Sequence, residues 1–211
     1  MMIVIEGLDG AGKRTLADRL TAALAARGAR VARRAFPRYD DDVHAELVRD
    51  ALYGRLGDLA DSVHGMAVLY ALDRRAAADG LRADLATHDV VLVDRYVASN
   101  AAYGAARLYQ DAGGEFVGWL HDLEFGRFGI PTPDHHLLLA PPLEVASDRA
   151  RHRERTEPGR ERDAFESDAG LQERTGVVYA QLAADAWLAP WTAFDDLTGP
   201  DVDELADQLL G

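Results

Sequence analysis

The chain reads as an α/β protein: a five-stranded parallel sheet flanked by helices, a three-layer arrangement. Short apolar runs alternate with amphipathic stretches along its whole length. One run, DVVLVDR at 89–95, carries four consecutive apolar residues, as a strand buried on both faces requires. The first run ends in a glycine-rich turn that opens a helix-like stretch.

Taken in order, MIVIE at 2–6 is a first strand, and an amphipathic run from Lys13 to about Ala26 follows, stopped by Gly28. RVARRAF at 30–36 is a second strand, ended by Pro37. Helical patterns occupy about 43–53 and 60–87, and Asp40–Asp42 read as caps for the helix at 43. The run at 89–95 is then expected as the central strand. Helices are expected over 98–110 and 115–127, a fourth strand over DHHLLLA at 134–140, and a helix over 142–153. TEPGRE at 156–161 interrupts the pattern before one long helix at 164–186, a short strand near 191–194 and a last helix at 201–210. No internal repeat or low-complexity linker is evident, so residues 1–211 are expected to form one domain.

Bulk composition narrows the function. The 211 residues carry no cysteine, which removes disulfides and Cys-ligated metals. No stretch approaches the roughly 20 apolar residues of a membrane span, so a cytoplasmic protein without a membrane partner is expected. The net charge of −13 argues against a nucleic-acid partner, which needs excess positive surface. A small phosphorylated ligand needs only a local basic pocket. Of 23 basic residues, 22 are arginine, and Lys13 is the single lysine. A chain that writes arginine almost everywhere keeps a compact ammonium at that one position.

That position is the end of Gly7-Leu8-Asp9-Gly10-Ala11-Gly12-Lys13, which matches the first seven places of the phosphate-loop pattern G-x-x-x-x-G-K-[ST] between a first strand and a first helix. Its backbone N–H groups and the helix N-terminus would hold phosphate oxygens. Arg14 stands where a serine or threonine normally ligates Mg²⁺, and Thr15 comes one residue late. Arginine can instead grip phosphate in a bidentate way. The metal is then expected on nucleotide oxygens, water and a carboxylate, with Asp9 and Glu166 the candidates.

The chain resembles the thymidylate kinases through EGLDGAGKRT at 6–15, FPRY at 36–39, YALDRR at 70–75, DRYVASNAAY at 94–103, PD at 133–134 and RARHRERTEPGRERDAFE at 149–166. Arg14 and Asn100 point to a bacterial, actinobacterial-like branch. The resemblance implies a P-loop nucleoside-monophosphate-kinase-like fold with an arginine-rich lid at about 149–162. It also implies transfer of the γ-phosphoryl group of ATP to dTMP with Mg²⁺, and a homodimer.

Residue by residue, ATP is expected on Gly7, Leu8, Asp9, Gly10, Ala11, Gly12, Lys13, Arg14 and Thr15, with lid residues Arg149, Arg153 and Arg160. Gly10 leaves the loop without the arginine some relatives carry there, so lid arginines are expected to supply transition-state charge. Arg95, after Asp94 at a strand's carboxyl end, would hold the acceptor phosphate. Asp94 itself would orient water around the metal or polarise the surroundings of the attacking phosphate, rather than cap the next helix. Lys13, Arg95, Asp9 and Arg153 are the expected catalytic group.

The dTMP pocket is expected to draw on Phe36, Arg38 and Tyr39; on Tyr70 and Arg74, which share a helix face; and on Ser99, Asn100 and Tyr103. An asparagine amide offers one donor and one acceptor, the complement of the N3–H and O4 edge of thymine. By resemblance Tyr103 crowds the sugar's 2′ position. Asp163 and Phe165 complete the set, Tyr70 and Phe165 being departures from the phenylalanine and tyrosine expected there. His135 and His136 are adjacent in a strand, face opposite ways and cannot chelate one metal together. Two other readings stay open at this point: a deoxynucleoside kinase, and a catalytically weak nucleotide-binding module that Arg14 invites.

Overall fold

A computed structural model describes residues 1–156, 163–194 and 201–211, the Arg153 side chain excepted. Strands β1 (Met2–Gly7), β2 (Val31–Ala35), β3 (Val90–Asp94), β4 (His135–Leu139) and β5 (Trp191–Phe194) form one sheet in the order β2-β3-β1-β4-β5. All four pairings are parallel. The central strand is therefore β1, and the run at 89–95 lies beside it. An apolar run buried on both faces marks any interior strand, and position within the sheet depends on the crossovers.

Alternate residues of β1 build two cores. Ile3 and Ile5 pack with Leu16, Leu20 and Leu24 of α1 (Lys13–Ala26) and with Leu205 of α9 (Val202–Leu210). Met2 and Val4 face the other layer. There Leu81 of α3 (Val63–Thr87) joins the alanine-rich face of α4 (Val97–Arg107), and Val178 and Leu182 come from α8 (Ala169–Ala184). Each large aliphatic side chain so buried contributes about 1.5–3 kcal/mol. A smaller cluster of Val48, Ala51, Leu52 and Met66 ties α2 (Val43–Leu52) to α3.

Two expected helices divide where a side chain caps the backbone. Ser62 Oγ accepts from Gly65 N, so α3 begins at Val63 behind a separate 3₁₀ turn at Gly57–Asp61. Asp168 Oδ1 accepts from Leu171 N and splits the stretch 164–186 into α7 (Ala164–Ser167) and α8. Asp42 caps α2 through His44 N, as its place before the helix predicts. α5 (Glu115–His121) runs on into a π-helical turn at Asp122–Arg127, a form that often marks functional sites. α6 (Leu143–Thr156) outruns its expected end and takes in the first part of the proposed lid, while residues 157–162, Pro158, Gly159 and Arg160 among them, lie outside the described residues.

His135 and His136 do face opposite ways. His135 Nε2 bonds Thr192 Oγ1 at 2.8 Å, whereas His136 is fully buried, stacked 4.1 Å from Trp191 with both ring nitrogens unpartnered. Burial, then neighbouring His135, lowers its pKa to about 3. Below the ordinary value near 6.5 the unfolded chain takes a proton that the native state refuses, so stability falls as pH drops from there toward 3. His136→Leu should therefore recover about 2 kcal/mol at pH 5 relative to pH 7. Urea denaturation at the two pH values measures this; an unchanged difference would show that His136 charges freely in the native state.

Candidate active site

The carboxyl ends of β1 and β3 and the N-termini of α1 and α4 open onto a cleft of about 1140 Å³. The loop after β1 needs its glycines. Gly7 has φ 141°, and a Cβ there would stand 2.4 Å from the Leu139 carbonyl oxygen. Gly10 has φ 84°, and its Cβ would stand 1.9 Å from the Ala146 oxygen of α6. The loop thus lies directly against the helix that leads into the proposed lid. Gly12, also left-handed, precedes α1, whose first turn has no side-chain cap and no acidic residue. Its N–H groups face the cleft with nothing to neutralise the helix dipole, which is what a phosphate needs.

Lys13 is buried, its Nζ donating to the carbonyls of Gly7 (3.1 Å) and Leu8 (2.8 Å). Burial, then the Arg95 charge, lowers its pKa to about 8, against the opposing pull of Asp9, Asp94 and Glu6. Arg14 and Thr15 are exposed at the rim of the cleft, and no hydrogen bond or ion pair commits Arg14 to a described residue. Arg19, Asp148, Arg149 and His152 line the same end, from α1 and α6.

Arg95 follows β3 with φ 64°, a left-handed conformation that costs a non-glycine residue about 1–2 kcal/mol. Its Nη2 meets Asp9 Oδ1 at 2.5 Å and its Nη1 donates to Ser99 Oγ at 3.1 Å. Tyr103 OH donates to Asp9 Oδ2 at 2.9 Å, so both oxygens of Asp9 are engaged. Burial raises the Asp9 pKa, but Arg95, Lys13 and the Tyr103 hydrogen bond outweigh it and hold the carboxyl ionised, well below the usual range. Asp94 does not cap α4: the cap position is Tyr96, with no side-chain bond, and Asp94 Oδ1 is buried without a partner.

At the far wall Arg74 and Glu124 form a buried two-pronged pair, Nε to Oε2 at 2.6 Å and Nη2 to Oε1 at 2.5 Å. Asn100 Nδ2 donates to the Ala67 carbonyl at 3.0 Å and to Glu124 Oε1 at 3.3 Å. Glu124 thus orients both polar groups that the sequence assigns to base reading. Phe36, Tyr39 and Tyr70 line this wall with them. Arg38 does not reach the cleft lining: its guanidinium is held by Asp73 at 2.7 Å and Asp42 at 3.1 Å, bracing the loop after β2 against α3.

Tyr103 stacks on Phe165 with centroids 6.2 Å apart, and Arg107 lies over the other ring at 4.7 Å. Asp163 caps α7 through the amides of Phe165 and Glu166, both at 2.8 Å, and Glu166 borders the cleft. Among the expected ligand contacts, Gly7, Leu8 and Arg38 stand behind the cleft surface, while Arg160 and the Arg153 side chain lie outside the described residues.

Sequence reasoning missed Glu6, Glu124 and Tyr179. Glu6, fully buried at the end of β1, accepts from Tyr96 N, Ser99 Oγ and Tyr179 OH. A carboxylate inside an apolar strand was its signal. Nothing in the local pattern distinguishes Glu124 or Tyr179 from ordinary helix residues.

A family model described as thymidylate kinase matches residues 5–189. The thymidylate kinase of Mycobacterium tuberculosis (strain H37Rv) is 51% identical over 203 residues, covering 96% of this chain and 93% of that one. That of Xanthomonas oryzae pv. oryzae (strain PXO99A) is 39% identical over 186 residues, covering 86% and 71%. With a family model that matches most of its length and a relative that shares half of its residues, this chain belongs to the thymidylate kinase family.

Proposed function

We infer that the protein transfers the γ-phosphoryl group of ATP to dTMP, giving dTDP and ADP. The observation that carries this reading is one cleft with two differently equipped ends. The uncapped α1 and Lys13 stand at one end, and the Arg74–Glu124–Asn100 group stands at the other, with Arg95 between them. Family membership supplies the substrate class.

Phosphoryl transfer asks a protein for positioning and charge neutralisation rather than covalent help. An oxygen of the dTMP phosphate attacks Pγ as the bond from Pγ to the β-bridging oxygen breaks, and ADP leaves. Arg95 holds the acceptor phosphate once Asp9 yields it, and Lys13 takes up charge on the donor phosphates. The Asn100 donors are already spent, so its carbonyl oxygen is what remains to accept from thymine N3–H. Arg74 keeps Nη1 to donate to O4, because its other two nitrogens serve Glu124.

Among the described residues no group of three or more acidic or histidine side chains gathers to bind a metal. For an Mg²⁺ ion bound together with ATP, the cleft carboxylates Asp9, Asp94 and Glu166 would hold its waters. The unpartnered Asp94 Oδ1 fits that use. When bound, the ion neutralises charge on the β- and γ-phosphate oxygens. Arg14 takes no part in holding it and grips phosphate instead. A homodimer is proposed from the family, to be read by sedimentation. No described helix is long and apolar enough to cross a membrane.

An acceptor panel of dTMP, dUMP, dGMP, AMP and thymidine with ATP and Mg²⁺ tests the reading. Preference for dTMP over the purine monophosphates and over thymidine is expected. Transfer to thymidine alone would make the protein a nucleoside kinase. ATP binding without transfer to any acceptor would make it a nucleotide-binding module.

A further inference from the structure

We propose that Glu6 is a positioning residue for the acceptor phosphate: its carboxylate locks the left-handed turn at Arg95 and the direction of the Arg95 guanidinium. This rests on the function inferred above and assigns work to a residue outside the ligand-lining set. Glu6 is wholly inaccessible, in the last turnless stretch of β1, on the face of the sheet that meets α4 and α8. A buried carboxylate without a local lysine or arginine ion pair is kept only where several donors converge on it.

Three donors do converge. The Tyr96 amide, the peptide group immediately after Arg95, reaches Glu6 Oε1 at 2.9 Å. Ser99 Oγ reaches Oε2 at 2.6 Å and Tyr179 OH reaches the same oxygen at 3.0 Å. The amide of Arg95 itself donates to the Ile5 carbonyl at 3.0 Å. The peptide units on both sides of the strained residue are thus fastened to adjacent residues of β1. Strain of this kind persists only where the surroundings over-determine it.

The second link fixes the side chain. Ser99 has one proton, which it gives to Glu6, so its oxygen is left to accept from Arg95 Nη1 at 3.1 Å. Glu6 therefore sets the polarity of a chain that runs from guanidinium through hydroxyl to carboxylate. An amide at position 6 keeps an acceptor for the Tyr96 N–H but turns a donor toward Ser99 and Tyr179, reversing that polarity. Alanine there removes both links.

The experiment is calorimetric titration of dTMP and of thymidine into wild type, Glu6→Gln, Glu6→Ala and Ser99→Ala, with steady-state kinetics on dTMP. Thymidine lacks the group that Arg95 holds, so a positioning role separates the two ligands. Losing one or two charge-assisted bonds should weaken dTMP about 10- to 100-fold in Glu6→Ala, and less in Glu6→Gln, with thymidine unchanged. KM for dTMP should rise by a matching factor. Equal weakening of both ligands, or no weakening of either, would overturn the proposal. Should the position-6 variants fail to fold, Ser99→Ala decides: a selective dTMP loss of roughly threefold or more supports the relay, and equal or absent loss overturns it. Wild-type failure to phosphorylate dTMP would remove the inferred function instead, and is read independently of the variant ratios.

Discussion

Lys13→Ala is expected to lower kcat for dTMP phosphorylation by about a thousandfold or more, the range in which removal of a preorganised charge from a phosphoryl-transfer site falls. The fold should survive, because Nζ bonds only the carbonyls of Gly7 and Leu8, where β1 gives way to the loop, and contributes no apolar contact to either core. Thermal denaturation within a few degrees of wild type, together with lost turnover in a coupled ADP assay, would establish this. Turnover within tenfold of wild type would show that the donor phosphates are held chiefly by helix amides and arginines. The same residue has a pH signature. In the free protein burial and Arg95 lower its pKa to about 8, and arriving phosphates favour the charged form. ATP binding should then take up protons above pH 8, and affinity should fall as pH rises through that value. Below it, with Lys13 already charged, this contribution vanishes. Calorimetry at pH 8.5 in buffers of different ionisation enthalpy reads the proton count directly.

Glu124→Gln should be the most damaging single substitution outside the phosphate loop. Breaking a buried ion pair by neutralising one partner leaves the other charge uncompensated, a loss of about 3–5 kcal/mol. In a chain of this size that lowers Tm by roughly 10 °C. Arg74 is fully buried, so water cannot replace the lost partner. The effect on substrate should be selective as well. Glu124 orients Arg74 and also receives Asn100 Nδ2, so both of the side chains proposed to read the base should be released at once. KM for dTMP should rise by about tenfold or more while KM for ATP holds, since no Glu124 contact reaches the phosphate loop. Melting curves and bisubstrate kinetics separate the two effects. A stable variant with unchanged dTMP recognition would mean that Arg74 finds another anion and that Glu124 serves packing alone.

Much of this protein was determined by local chemistry and is legible in the chain. Alternation of apolar runs with amphipathic stretches sets the α/β layers, because each strand and helix must bury its own apolar face. The phosphate loop is legible because two of its glycines meet backbone carbonyls where no Cβ fits, and because one ammonium stands among arginines. Asp94, Arg95, Ser99, Asn100 and Tyr103 gather because strand end and helix start are contiguous, so neighbours in sequence are neighbours in space.

What tertiary structure alone decided is which polar groups are free to act. Arg38 could face a nucleotide by sequence, but Asp73, from a helix 35 residues on, claims its guanidinium. The Asn100 amide has a donor and an acceptor on paper; Ala67 and Glu124 consume the donor and leave the acceptor. Glu6 looks like an interruption of a strand until Tyr96 and Tyr179 close on it from sites 90 and 173 residues away. Hydrogen-bond capacity belongs to the residue and is written in the sequence. Its assignment belongs to long-range contacts formed when helices dock on the sheet, and no local pattern records them.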